Sequence, residues 1–139
     1  MIVLDTNVVS ELMREHPNAR VDAWAASRDR REMSITSVTI AEVLYGIRLL
    51  PVGRRRQDLH DDWLSFMTRG FGDTVLPFDA PAADIYTQIA FDRRRSGRPV
   101  DAFDGMIAAI ARLYGAAVAT RDTADFRDCG VELINPWNE

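Results

Sequence analysis

The chain has 139 residues, 47% of them hydrophobic, which fits a single domain over 1–139 with a sizeable core and excludes disorder. All 17 basic residues are arginine, which excludes a mechanism needing a catalytic lysine, and the net charge of −4 excludes a uniformly basic nucleic-acid binder. The single cysteine, Cys129, excludes an internal disulfide. With no secretory signal and no apolar run of about 18 residues, a cytoplasmic protein with no membrane partner is expected.

Residues 1–5 read as a short buried strand running into Thr6-Asn7, either of which can cap a helix over about 7–14. Asn18 opens a second helix with Val21, Trp24 and Ala25 at core spacing. Met33–Thr36 reads as a strand. Ser37 or Thr39 then starts a helix with an apolar stripe of Ile40, Val43, Leu44 and Ile47, which Pro51 ends. Residues 53–68 form a further helix that buries Leu59, Trp63, Phe66 and Met67. Thr74–Phe78 is a strand, and Asp79 caps a helix over about 80–95 carrying Ile85, Ile89 and Ala90. Ser96-Gly97-Arg98-Pro99 breaks it. A last helix spans 101–114 and stops at Gly115. Ala116–Thr120 is a core strand, and Val131–Ile134 an edge strand. Strands alternating with helices predict an α/β fold, an α/β/α sandwich with a mostly parallel sheet, whose site lies outside the carboxyl ends of the strands.

Four acids stand out: Asp5, Glu42, Asp104 and Asp122. Asp5 and Asp122 fall at or just past strand ends. Asp5 could serve only as a helix cap, but Thr6 and Asn7 can take that task. Glu42 also fits a capping box with Thr39. Asp104 has Ile107, Ala108 and Ala111 at helical spacing, so it lies on an apolar face. A carboxylate there is costly without a partner. Asp101, one turn earlier, reads as the cap of the same helix. Asp125 is the reserve for Asp122. Such a cluster makes sense around a hard divalent cation that takes oxygen ligands and keeps several waters. That implies metal-dependent phosphoryl chemistry. His16 and His60 are isolated, so zinc is not suggested. Three arginine clusters, Arg28-Arg30-Arg31, Arg54–Arg56 and Arg93–Arg95, read singly as solvated helix faces; together they would rim an acidic site and grip phosphates.

Four motifs carry a resemblance over essentially the whole chain. They are Met1–Asn7, Ile40-Ala41-Glu42-Val43 with Tyr45-Gly46, Asp104–Ala109, and Ala119–Phe126. In this order they resemble the PIN-domain nucleases, and more narrowly the VapC toxins of bacterial toxin–antitoxin pairs. The ending Asn135-Pro136-Trp137 is similar to the FitB-like subgroup. The resemblance implies a Mg²⁺- or Mn²⁺-dependent endoribonuclease acting on RNA, with Asp5, Glu42, Asp104 and Asp122 as its acidic ligands. Many relatives carry Asn at the position of Asp122 and the acid at that of Asp125, so the choice between the two stays open. It also implies homodimers and a small cognate antitoxin with a DNA-binding domain, joined in higher-order toxin–antitoxin complexes. Thr6, Asn7, Thr120 and Arg121 are expected to support the acids or contact phosphate. The alternatives are a DNA-directed nuclease of the same fold and a non-catalytic metal-binding module. Phosphoaspartyl enzymes and receiver domains commonly need a late lysine, which this chain lacks.

Overall fold

The computed structural model describes residues 1–71 and 73–139. Strand β1 (Ile2–Leu4) runs into helix α1 (Thr6–Met13), followed by α2 (Ala19–Ala26). A 3₁₀ turn at Arg30–Glu32 leads to β2 (Met33–Thr36) and α3 (Ser37–Leu49). Helix α4 (Arg54–Phe66) ends in a wider turn, Met67–Phe71, before β3 (Val75–Leu76). Then come α5 (Ala80–Arg95), α6 (Ala102–Leu113), β4 (Ala117–Ala119), a 3₁₀ turn at Thr123–Phe126, and β5 (Leu133–Ile134).

The strands lie in the order β3-β2-β1-β4-β5, and each described pairing is parallel. The first strand is thus the middle of the sheet, and all three of its residues are buried. Alternation along β1 feeds two cores. Ile2 and Leu4 join one core with Val9, Leu12, Trp24 and Phe66, supplied by α1, α2 and α4. Val3 joins the other with Ile89, Ile107, Ile110 and Val118, supplied largely by α5 and α6. This is the expected three-layer α/β/α arrangement. Gly105 lets α6 press on α5: a Cβ there would lie 2.9 Å from Cε2 of Tyr86.

The differences from the sequence reading lie at element ends. The strand expected over 74–78 contracts to Val75–Leu76, because Pro77 has no N–H and the Phe78 N–H turns to Ser37 Oγ at 3.2 Å. Helix α4 stops at Phe66, ahead of Gly70 at φ 97°. Trp63 and Phe66 are buried as expected, whereas Leu59 and Met67 are only half-buried. Helix α3 is capped by neither Ser37 nor Thr39 but by Thr36, whose hydroxyl accepts from the Thr39 N–H. Asn18, Asp79 and Asp101 cap α2, α5 and α6 as read.

One arginine departs from the solvated-face reading. Arg93 is buried, at 6% exposure. Its guanidinium donates to the carbonyls of Arg98 at 2.7 Å and of Asp125 and Arg127 at 3.0 Å each. It therefore ties the end of α5 to the loop that follows β4. Among the described residues no helix is long and apolar enough to cross a membrane.

Candidate functional site

All four acids border one open cleft of about 470 Å³. The parallel sheet explains the convergence, since every strand delivers its chain to the same edge. Asp5 directly follows β1, and Asp122 lies three residues beyond β4. Glu42 is carried by α3, which follows β2, and Asp104 sits in the first turn of α6. Asp125 does not line the cleft; its N–H donates to the Asp122 carbonyl at 3.0 Å within the 3₁₀ turn. Of the two acids left open by the sequence, Asp122 is therefore the one in the cleft.

The acids are held by hydroxyls and amides from neighbouring segments. Asp5 is 5% exposed, and both its oxygens are engaged. Oδ1 accepts from the Thr6 N–H at 2.8 Å, and Oδ2 from the buried Thr120 hydroxyl at 2.8 Å. Asp5 is thus itself the cap of α1, a task the sequence reading gave to Thr6 or Asn7, and it borders the cleft as well. The Thr6 hydroxyl donates to Glu42 Oε1 at 2.8 Å. Glu42 consequently does not close a capping box with Thr39. Asn7 bridges in the other direction: its amide donates to Asp122 Oδ2 at 3.0 Å, and its Oδ1 accepts from the Arg121 N–H at 3.3 Å. The Thr120 hydroxyl also accepts from the Asp122 N–H at 3.0 Å. Thr6, Asn7 and Thr120 stitch the segments after β1, β2 and β4 together. Among the described residues the Asp104 carboxylate has no hydrogen bond; its backbone N–H donates to Asp101 Oδ2 at 3.3 Å.

The electrostatics follow from this crowding. Burial pushes Asp5 from 3.8 up to about 6, against the pull of its two donors, and the charges of Glu42 and Asp122 add to the rise. Burial pushes Asp104 up to about 7, helped by the charges of Asp5, Asp101, Asp125 and Glu42. Glu42 is also raised, by burial first, with the Thr6 hydroxyl opposing. These carboxyls gain from any cation that enters.

The donor set is entirely hard oxygen, which suits Mg²⁺ or Mn²⁺ and not zinc. Among the described residues no three acidic groups close tightly enough on one point to grip an ion by themselves. A cation that retains several waters fits such an arrangement better than one that demands a full protein cage. Asp5, Asp104, Asp122 and Glu42 are the residues that would hold it.

Four further residues line the cleft that the sequence reading did not assign: Ser10, Glu11, Arg14 and Trp137. The first three share a face of α1 with Asn7 at helical spacing, a signal present in the sequence. Glu11 and Arg14 pair at 3.2 Å. Trp137 had no periodicity to mark it. The three arginine clusters do not line the cleft; Arg14 and Arg121 do.

A family model described as the PIN domain matches residues 2–131. Toxin FitB of Neisseria gonorrhoeae is 40% identical over 139 residues, covering 100% of both chains. VapC ribonuclease Y4jK of Sinorhizobium fredii is 37% identical over 137 residues, covering 99% of this chain and 98% of that one. The solved structure of FitAB bound to an IR36 DNA fragment matches with a TM-score of 0.89 at 41% identity, covering 99% of this chain and 96% of the other. The cleft of four acids at the carboxyl edge of a parallel sheet is thus found in a chain that belongs to the PIN-domain family.

Proposed function

We propose that this protein is the ribonuclease toxin of a type II toxin–antitoxin pair, an endoribonuclease that hydrolyses RNA phosphodiesters with Mg²⁺ or Mn²⁺. The observation that carries the reading is the meeting of Asp5, Glu42, Asp104 and Asp122, from four separate segments, in one cleft. The names of the relatives support it: one is called a toxin and another a VapC ribonuclease.

A bound divalent cation supplies charge neutralisation and a water of lowered pKa. The chain supplies position. Asp5 is fixed at both oxygens and serves as the rigid anchor. Asp104, whose carboxylate has no hydrogen-bond partner among the described residues and whose pKa is pushed up to about 7, is free to turn toward a cation. Glu42 gives one oxygen to the Thr6 hydroxyl, which leaves Oε2 to orient the attacking water. Asn7 holds Asp122. Attack by water leaves a 5′-phosphate and a 3′-hydroxyl.

The proposed partners are a small antitoxin with a DNA-binding domain and a second copy of the chain. The solved FitAB–DNA complex supports the first. The second has support in α3, where Tyr45 is 64% and Leu49 66% exposed, with Val52 just beyond at 89%. A DNA-directed nuclease of the same fold is the rival reading. The deciding experiment maps cleavage sites in total cellular RNA, and in single-stranded DNA, for wild type and Asp5→Asn, with Mg²⁺ and with chelator. Metal-dependent RNA cuts that vanish in Asp5→Asn are expected; cuts in DNA alone overturn the RNA assignment.

A further inference from the structure

The carboxyl ends of β4 and β5 lie side by side, with Ala119 paired to Ile134 in parallel register. Arg121 follows that pair by two residues on one strand, and Trp137 by three on the other. Both reach the acidic cleft, where the guanidinium carbon stands 5.2 Å from the centre of the indole ring. Trp137 is well anchored. Its backbone N–H donates to Asn135 Oδ1 at 3.0 Å, the Asn138 N–H closes the turn on the Asn135 carbonyl at 3.0 Å, and the half-buried indole packs against the first core. The Arg121 guanidinium is different. Five acids line the cleft, yet among the described residues it forms no ion pair and no hydrogen bond.

An arginine that rests on an aromatic ring amid carboxylates keeps its charge for an incoming anion. The indole beside it offers an apolar π-face. A phosphate joined to a flat ring is a nucleotide. We propose that Arg121 and Trp137 form a subsite for one unpaired nucleotide beside the cleaved phosphodiester, the guanidinium taking its phosphate and the indole stacking its base. This rests on the ribonuclease reading above. It narrows the substrate to RNA presenting unstacked bases, in loops or single strands, because a duplex cannot splay a base onto a side chain.

The test uses the full chain carrying Asp104→Asn, so that RNA is bound without being cut. It is titrated in Mg²⁺ with a short oligouridylate and with an abasic ribose-phosphate oligomer of equal length. Trp24 and Trp63 are each only 5% exposed, so a change in tryptophan emission on binding reports Trp137. The oligouridylate should quench emission and the abasic oligomer should not. Adding Trp137→Leu should remove the quench and weaken oligouridylate binding by about 5- to 150-fold, the range for one stacked base. Affinity for the abasic oligomer should be unchanged. Trp137→Phe should retain most of the preference, and Arg121→Gln should weaken both oligomers. Equal weakening of both by Trp137→Leu would mean a packing role and overturns the subsite. Equal affinity of the parent for the two oligomers, or binding of neither, overturns it without any need for the Leu variant to fold. Cleavage of cellular RNA by wild type, with no base preference in binding, sinks the subsite alone; base preference without cleavage sinks the ribonuclease reading alone.

Discussion

Replacing Asp104 by Asn should stabilise the metal-free protein. The side chain is half-buried on the helix face of Ile107, Ala108 and Ala111 and among the described residues accepts no hydrogen bond, so the substitution removes a charge and no hydrogen bond. The folded-state pKa is about 7 against 3.8 for the free group. A raised carboxyl favours folding while it is protonated, and that contribution fades as pH rises through the folded pKa. Each pKa unit is about 1.4 kcal/mol, which converts the whole rise into about 4 kcal/mol. Solvent reaches the half-buried carboxyl and screens it, leaving about 2 kcal/mol of penalty above neutral pH. For a chain of this size that is about 6 °C in Tm. Thermal melts in chelator should therefore show Asp104→Asn melting about 6 °C above wild type near pH 8, with the gap narrowing as pH falls and closing only below about pH 4, where the carboxyl is protonated in both states. Added Mg²⁺ binds the folded state and should raise wild type by more than the variant. A variant that melts below wild type in chelator at about pH 8, with an undiminished Mg²⁺ response, would refute the reasoning and make Asp104 a structural residue.

Asp5→Asn should abolish RNA cleavage yet remain folded, since Asn caps helices as well as Asp does; circular dichroism checks this. Thr120→Val strips the buried donor from Asp5 Oδ2 and should cost about 1–3 kcal/mol in denaturant titrations. The lost hydroxyl had been lowering the Asp5 pKa, so the acid limb of the cleavage profile should also move to higher pH. Asp122→Asn should lower the cleavage rate while Asp125→Asn leaves most of it, as only the former lines the cleft; equal losses in a steady-state assay would contradict that placement. Arg93→Met should cost about 3 kcal/mol in urea unfolding, because three carbonyls lose their donor.

Much of the site was legible in the residues because its chemistry conflicts with its surroundings. Asp104 stands on a stripe of Ile107, Ala108 and Ala111, and a helix places those four together in one dimension. Glu42 was ambiguous for a local reason: Thr39-x-x-Glu42 is a sound capping pattern, and only the third dimension shows Thr36 already capping the helix while Thr6 claims the carboxylate. Asp122 and Asp125 are three residues apart in one short turn, and spacing cannot say which side faces the cleft. Arg93 looked like one of three solvated arginines, because the carbonyls that bury it come from residues 98, 125 and 127. Trp137 belongs to no repeat, and its place follows from the register of β4 and β5. Element ends moved where single bonds decided them, as with the Phe78 N–H and Ser37.

The central position of β1 bears on when the protein becomes active as it leaves the ribosome. Residues 2–4 emerge before the rest of the sheet, yet one of their two strand neighbours is residues 117–119, and the cleft spans residues 5 to 137. Pairing across such a separation is slow and cannot begin until the late strand exists. A nascent chain therefore holds Asp5, and later Glu42, without Asp122, and carries an unfinished sheet whose middle strand has one open edge. On the ribonuclease reading proposed above, this delays activity until residues as late as 137 have been made, and it separates the ribosome making the chain from the earliest moment of cleavage. Premature termination anywhere before β4 yields a product with neither a closed sheet nor a complete set of acids.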